Sequence, residues 1–348
     1  MKKILFVLKR RDNFDPIKHA DISLQCGLYN SIYYVHNMLL SQGFESQISI
    51  CIDNNCINGF IYKFKPDFVI IEALWVVPEK VKLLQSMYPK IIWIIRLHSG
   101  IPFFSIESSQ SMKWIAEYIK IDNVYLGVND MRLYKELDIY LSNILENRIK
   151  YLPNFYPQEM KMKDKEEEEE EKDTIDISCF GAIRPFKNIL TQAIASIEFC
   201  KKINKKLRFH INSDRNELNG GTVLTNLENM FLNLDSNKFK LICHPWTTRT
   251  EFLNKCSTEI DIGLQVSFTE TFNIVSADLV SNGVSIVGSS EIPWLVKEYQ
   301  SSPVDVIDIV NKMLYTYNNL EKNVKENQLS LINYTNNTIK VWNEYLLE

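Results

Sequence analysis

The chain reads as an α/β protein of two tandem units, each a parallel sheet with helices packed on its faces. Three observations predict this. Short runs rich in Ile, Val and Phe alternate with longer stretches of helical period, the pattern of strand–helix–strand units. The alternation stops at a proline-marked break and then restarts. The length, 348 residues, accommodates two domains of about 150 residues each.

In the first half the strands are expected at 3–8, 47–52, 67–71, 90–97, 123–128 and 148–152. Leu28, Ile32, Val35 and Leu39 recur at helical spacing between the first two, and Gly43 follows as a C-terminal stop. Pro153-Asn154-Phe155-Tyr156-Pro157 then breaks regular structure, because each proline removes a backbone donor and restricts the residue before it. A charged run follows, with six consecutive glutamates from Glu166 to Glu171, and reads as a solvated linker or surface insertion.

The alternation resumes with strands at 174–180, 206–211, 238–243, 260–266 and 284–287, and with helices near 188–203, 222–233, 248–255 and 273–282. Ile339, Trp342 and Leu346 mark a closing helix over 337–347. The expected organisation is a first domain over 1–153, a hinge and acidic linker over 154–173, a second domain over 174–330 and a closing segment over 331–348. In such a protein the natural ligand position is the cleft between the carboxyl ends of the two sheets.

Several functions are disfavoured. Residues 161–173 hold four basic and eight acidic residues; of the chain's 39 basic and 43 acidic residues this leaves 35 of each, without the basic excess that serves nucleic-acid binding. No apolar run approaches the roughly 18 to 20 residues that span a bilayer, since 68–77 contains Glu72 and 91–97 contains Arg96. The apolar run after Met1 is too short for a signal-peptide core, so a cytoplasmic protein is expected. Seven cysteines without a Cys-x-x-Cys pair fit neither a disulfide framework nor a zinc site, and His19, His36, His98, His210 and His244 show no metal-ligand spacing, so no metal is expected. P-loop, Gly-x-Gly-x-x-Gly, Gly-x-Ser-x-Gly and His-Glu-x-x-His patterns are all missing, and eleven glycines are few for this length.

Two segments of the second half carry chemistry. Arg184 and Lys187 stand three residues apart where a strand ends and a helix begins. A guanidinium fork and a compact ammonium suit two phosphates, and cations at a helix start oppose its dipole unless an anion lies between them. Further on, Glu270 lies just before a helix and Asp278 on it. The backbone N–H groups of Thr271, Phe272, Asn273 and Ile274 at that helix start suit a diphosphate, with the carboxylates accepting from sugar hydroxyls. His244 and Trp246, after another strand, are candidates for the nucleobase pocket, whereas Trp75, Trp93 and Trp114 read as core.

Glu270 and Asp278 resemble the Glu-x7-Glu motif of retaining GT-B glycosyltransferases, the glycosyltransferase family four type, with Asp in the second place. Arg184 and Lys187 resemble that group's pair on the donor diphosphate, and Pro153-Asn154 its domain-closing Pro-Asn. Arg96-Leu97-His98-Ser99-Gly100 resembles the strand-end His beside the donor sugar, and Gly27 stands at the acceptor-side helix start. The resemblance implies two Rossmann-like parallel-sheet domains facing each other across a cleft. It also implies a sugar moved, with retention, from a nucleotide-diphosphate sugar to a glycan, lipid or protein acceptor, with no cofactor beyond that co-substrate.

In this scheme Glu270 binds the transferred sugar, Asp278 the ribose and His98 the sugar, while Lys187 and Arg184 neutralise the leaving diphosphate. Three departures are visible: no Gly follows Glu270 in 271–274, Asp278 is one methylene short, and only Gly27 remains of the acceptor-side glycine pair. A catalytically silent nucleotide-sugar-binding or scaffold protein, a phosphorylase and a nucleotide-sugar epimerase stay open as alternatives.

Overall fold

The computed structural model describes residues 1–10, 27–163 and 172–347. The acidic run 166–171 lies outside them. Contacts divide the chain into a first unit, Met1–Pro157 with Thr335–Glu348, and a second, Gln158–Tyr334.

The first unit holds a six-stranded sheet in the order β2-β1-β3-β4-β5-β6. Its strands are β1 (Lys3–Lys9), β2 (Glu45–Cys51), β3 (Phe68–Glu72), β4 (Ile92–Leu97), β5 (Val124–Val128) and β6 (Ile149–Tyr151). Every pairing is parallel. Parallel strands need covered faces, so they read as continuous apolar runs. The connecting helices are α1 (Gly27–Ser41), α2 (Cys56–Phe64), α3 (Pro78–Met87), α4 (Ile101–Glu107), α5 (Ser111–Tyr118) and α6 (Met131–Leu141). One face packs Val69, Trp93, Ile95 and Leu126 under α2 to α6; the other packs Phe6, Ile70 and Ile94 against α1 and Trp342.

The second unit repeats the plan with β7 (Thr174–Ser178), β8 (Lys206–Asn212), β9 (Phe239–His244), β10 (Ile262–Gln265) and β11 (Ser285–Gly288), ordered β11-β10-β7-β8-β9 and again all parallel. Helices α7 (Ile189–Lys202), α8 (Gly220–Leu232), α9 (Arg249–Glu259), α10 (Ile274–Ser281) and α11 (Val306–Tyr317) follow in order. The final helix, α12, covers Leu320–Leu347, a much longer element than the apolar spacing of 337–347 suggests. Its last part belongs to the first unit, where Trp342 is fully buried and donates from Nε1 to Pro153 O at 2.9 Å.

The fold class expected from sequence is observed: two α/β units with parallel sheets and interleaved helices. In each sheet the strand order reverses beside its first strand, at β1/β3 in one and at β7/β10 in the other. In open α/β sheets the crevice beyond the carboxyl ends of the strands at such a switch is where ligands bind.

Candidate active site

The loops leaving β7 and β10 carry the residues singled out in the second half. After β7 the chain turns at Gly181, with φ +119°, and Pro185 opens a short 3-10 turn through Lys187. Asn188 then adopts a left-handed conformation, φ 57°, that Asn tolerates better than most residues. Its Nδ2 donates to Val266 O at 3.1 Å and to Pro303 O at 2.7 Å, which ties the turn to the end of β10. Phe268 N donates to Phe186 O at 2.9 Å and reinforces that tie.

These ties bring Lys187 and Glu270 together: Nζ donates to Oε1 at 2.5 Å, with the two side chains 11% and 12% exposed. Arg184, at the start of the same turn, faces Glu217 instead, with Nη1 to Oε2 at 3.7 Å. Gly220 supports this turn by close approach, because a Cβ there would lie 2.0 Å from the Ile183 carbonyl oxygen. Gly220→Ala is therefore expected to destabilise the protein by about 1–3 kcal/mol and to displace Arg184 and Lys187. Urea denaturation and nucleotide titration of the variant check this, and wild-type values in both would contradict it.

The helix after Glu270 starts at Ile274, beside the expected 273. Thr271, Phe272 and Asn273 precede it, and only Ile274 of the four candidate amides lies within α10. Phe272 is buried, its ring against Trp294 and Tyr334 and its carbonyl accepting from Trp294 Nε1. Asn273 takes φ 55°, Oδ1 accepts from Ser276 N at 2.9 Å, and Nδ2 donates to Gln265 Oε1 at 3.0 Å. The missing glycine is thus replaced by a residue that also reaches the left-handed region and caps the helix as well. The first helical amides, Ile274 and Val275, have no protein acceptor among the described residues.

Two further candidates are engaged within the second unit. Asp278 is 1% exposed, and both of its oxygens are engaged by the Arg249 guanidinium from α9. His244 is turned inward: its ring stacks on His210 with centroids 5.1 Å apart and meets the edge of Phe180. Trp246 stays half-buried beneath the Arg215 guanidinium, 4.9 Å from its ring, and its backbone N–H donates to Asp214 Oδ2.

The inward His244 forms part of a chain that sequence spacing could not show, because its partner lies 34 residues away. His210 Nδ1 meets His244 Nε2 at 2.8 Å, and His210 Nε2 meets Asp176 Oδ1 at 2.7 Å. Glu259 completes a group with metal-ligand spacing. Its carboxylate pairs with Lys255 at 3.1 Å, and the hydrogen bonds among the protein's own groups account for the cluster.

Burial, with Lys255 and His210 adding to it, pushes His244 down to about 4 from an ordinary 6.5. The unfolded chain therefore takes up a proton as pH falls through 6.5, while the folded chain takes it up only near 4. Stability from this group is full above 6.5 and declines toward 4. Denaturant midpoints measured across that window should fall with pH, and His244→Gln should flatten the slope; an unchanged slope would contradict the assignment.

In the first unit, His98 follows β4 and its Nε2 contacts Glu72 Oε2 at the end of β3. Glu72 and Arg96 face each other in register on β3 and β4, both 0% exposed, with Nη1 to Oε1 at 3.3 Å. Arg96 also donates to Leu152 O at 3.1 Å, to Pro153 O at 3.2 Å and to Asn154 Oδ1 at 2.6 Å. Gly127, its register partner on β5, makes room, because a Cβ there would lie 3.3 Å from Arg96 Cγ and 2.8 Å from Ile94. Burial alone would raise the Glu72 carboxyl, but the charges and hydrogen bonds of Arg96 and His98 more than offset it and leave it below its ordinary value. Burial also lowers His98, which Glu72 only partly counters. Ala73, next to Glu72, sits at φ 69°, a left-handed conformation costing about 1–2 kcal/mol for a residue with a Cβ. Gly27 opens α1, and its carbonyl accepts from Ser31 Oγ at 2.9 Å.

No family model matches the sequence, and no curated protein does. Solved structures do resemble it. The N-terminal domain of a Candida albicans trehalose-6-phosphate phosphatase aligns over 100% of this chain and 97% of its own, at 10% identity and TM-score 0.74. A sucrose-phosphate synthase from Thermosynechococcus elongatus aligns over 99% and 98%, at 13% identity and TM-score 0.66. An E. coli trehalose-6-phosphate structure bound with UDP-2-fluoro glucose aligns over 99% and 98%, at 10% identity and TM-score 0.67. The chain therefore has the GT-B fold of these proteins along its whole length.

Proposed function

We propose that this protein is a retaining glycosyltransferase that moves a sugar from a nucleotide-diphosphate sugar to a glycan, lipid or protein acceptor. The observation that carries the reading is the Lys187–Glu270 pair, assembled from the loops after β7 and β10 at the switch point of the second sheet. The amides of Ile274 and Val275 open the helix that follows Glu270. The E. coli neighbour holds a UDP-sugar analogue on the same fold, which supports a nucleotide sugar as donor.

In this reading negative charge grows on the leaving diphosphate as the glycosidic bond breaks. Lys187 and the first amides of α10 meet that charge, and Arg184 joins them by turning from Glu217. Fixed cations supply this stabilisation without calling on a divalent ion. Glu270 accepts hydrogen bonds from the transferred sugar, which also holds Lys187 toward the phosphate. His98 hydrogen-bonds the donor sugar, and a phosphate oxygen of the leaving group takes the acceptor's proton. Asp278 acts through Arg249, whose guanidinium it orients, rather than on the ribose directly. Among the described residues no helix is long and apolar enough to cross a membrane.

Incubation with a panel of nucleotide sugars, following released nucleoside diphosphate and the anomeric configuration of the product, tests the proposal. Release with retained configuration is expected. Binding without release would favour a silent sugar-binding protein, and a converted nucleotide sugar without release would favour an epimerase.

A further inference from the structure

We propose that Glu72 is a positioning residue for His98: from the end of β3 it holds the imidazole in its Nε2–H form and fixes the ring orientation, while Arg96 ties the same carboxylate to Leu152, Pro153 and Asn154. The positional half stands on the geometry alone. The functional half rests on the reading above, in which His98 touches the donor sugar.

Three observations carry it. First, a carboxylate only accepts hydrogen bonds, so the His98 nitrogen against Glu72 Oε2 must be the one bearing hydrogen, and the lone pair falls on Nδ1. Second, Glu72 and Arg96 are both 0% exposed near the ends of two strands whose other residues are apolar. A buried ion pair is a poor source of stability compared with apolar packing, so its presence calls for a positional reason. Third, the backbone beside it is strained at Ala73, and such outliers persist where the surroundings over-determine them, often at ligand sites.

The ties to the connection are specific. Arg96 contacts three consecutive residues, Leu152, Pro153 and Asn154. Its guanidinium lies over the Trp342 ring at 5.3 Å, and Thr338 Oγ1 donates to Asn154 O at 3.1 Å. The carboxylate thus links the strand-end histidine to the segment where the first unit's main run ends. Replacing Glu72 with Gln leaves one acceptor for two donors. Arg96 can only donate, so the amide oxygen goes to it and the amide N–H turns on His98, which then has to move its hydrogen to Nδ1.

Long-range 1H–15N spectra of the full chain test this, with the His98 signals assigned by their loss in His98→Ala. In the wild type His98 is expected as the Nε2–H tautomer; an Nδ1–H ring, or a rapidly averaging mixture, would overturn the proposal without any variant having to fold. In Glu72→Gln the Nε2–H population should fall and sugar transfer should drop at least about tenfold. Glu72→Gln/His98→Ala should transfer within about twofold of His98→Ala, because the two residues act as one unit. Multiplying losses would overturn the claim that Glu72 works through His98. Wild-type transfer by His98→Ala would overturn the site reading of His98 and the functional half with it, whereas the tautomer would still decide the contact.

Discussion

Lys187→Met should lower sugar transfer about a hundredfold, the loss that follows removal of one fixed donor aimed at developing charge, and Glu270→Gln should lower it at least about tenfold, or 1.4 kcal/mol. Lys187 and Glu270 neutralise each other at 2.5 Å in a largely buried place. Each single variant therefore also removes its partner's opposite charge, at a cost of about 1–3 kcal/mol in stability. The double variant Lys187→Met/Glu270→Gln separates the two effects. It should regain most of the lost stability and none of the lost transfer. Recovery of both would show that the pair is only structural.

Arg249→Ala should destabilise the protein by about 3–5 kcal/mol, because it removes the guanidinium that engages both oxygens of the buried Asp278 carboxylate. Asp278 is 1% exposed, and Arg249 engages both its oxygens. Removing both charges at once, as Arg249→Met/Asp278→Leu, should restore much of the loss, since apolar replacement of a buried pair is often near neutral. Urea denaturation of the two variants measures this. Equal destabilisation in both would mean that packing, rather than the ion pair, sets the cost.

Among the described strands, β1, β3, β4 and β10 were legible because a parallel strand covered on both faces is a short and largely apolar run. Helices gave a weaker signal. The 28 residues of α12 carry little net apolar character along most of their length, so only the stretch around Trp342 stood out. At the site, the family resemblance set Lys187 and Glu270 on one donor, although they lie 83 residues apart and follow β7 and β10.

Register hid the rest. Glu72 and Arg96 appear in the sequence as charges that interrupt two apolar runs, and only the pairing of β3 with β4 sets them opposite each other. That signal could have been used: two opposite charges near the ends of adjacent buried strands have nowhere to go but together. Asn273 takes a left-handed backbone that its place in the sequence does not announce. The inward turn of His244 depends on the side-chain alternation of β9 against β8, which composition does not reveal.

Titration calorimetry with a set of nucleoside diphosphates, run on the wild type and on Lys187→Met, tests the central claim most directly. The account predicts one site for one of these nucleotides on the wild type, with affinity reduced at least about tenfold in the variant and unchanged far-UV dichroism. Equal affinity in the two proteins would contradict it, because the diphosphate would then not be held by the cation at the β7/β10 switch.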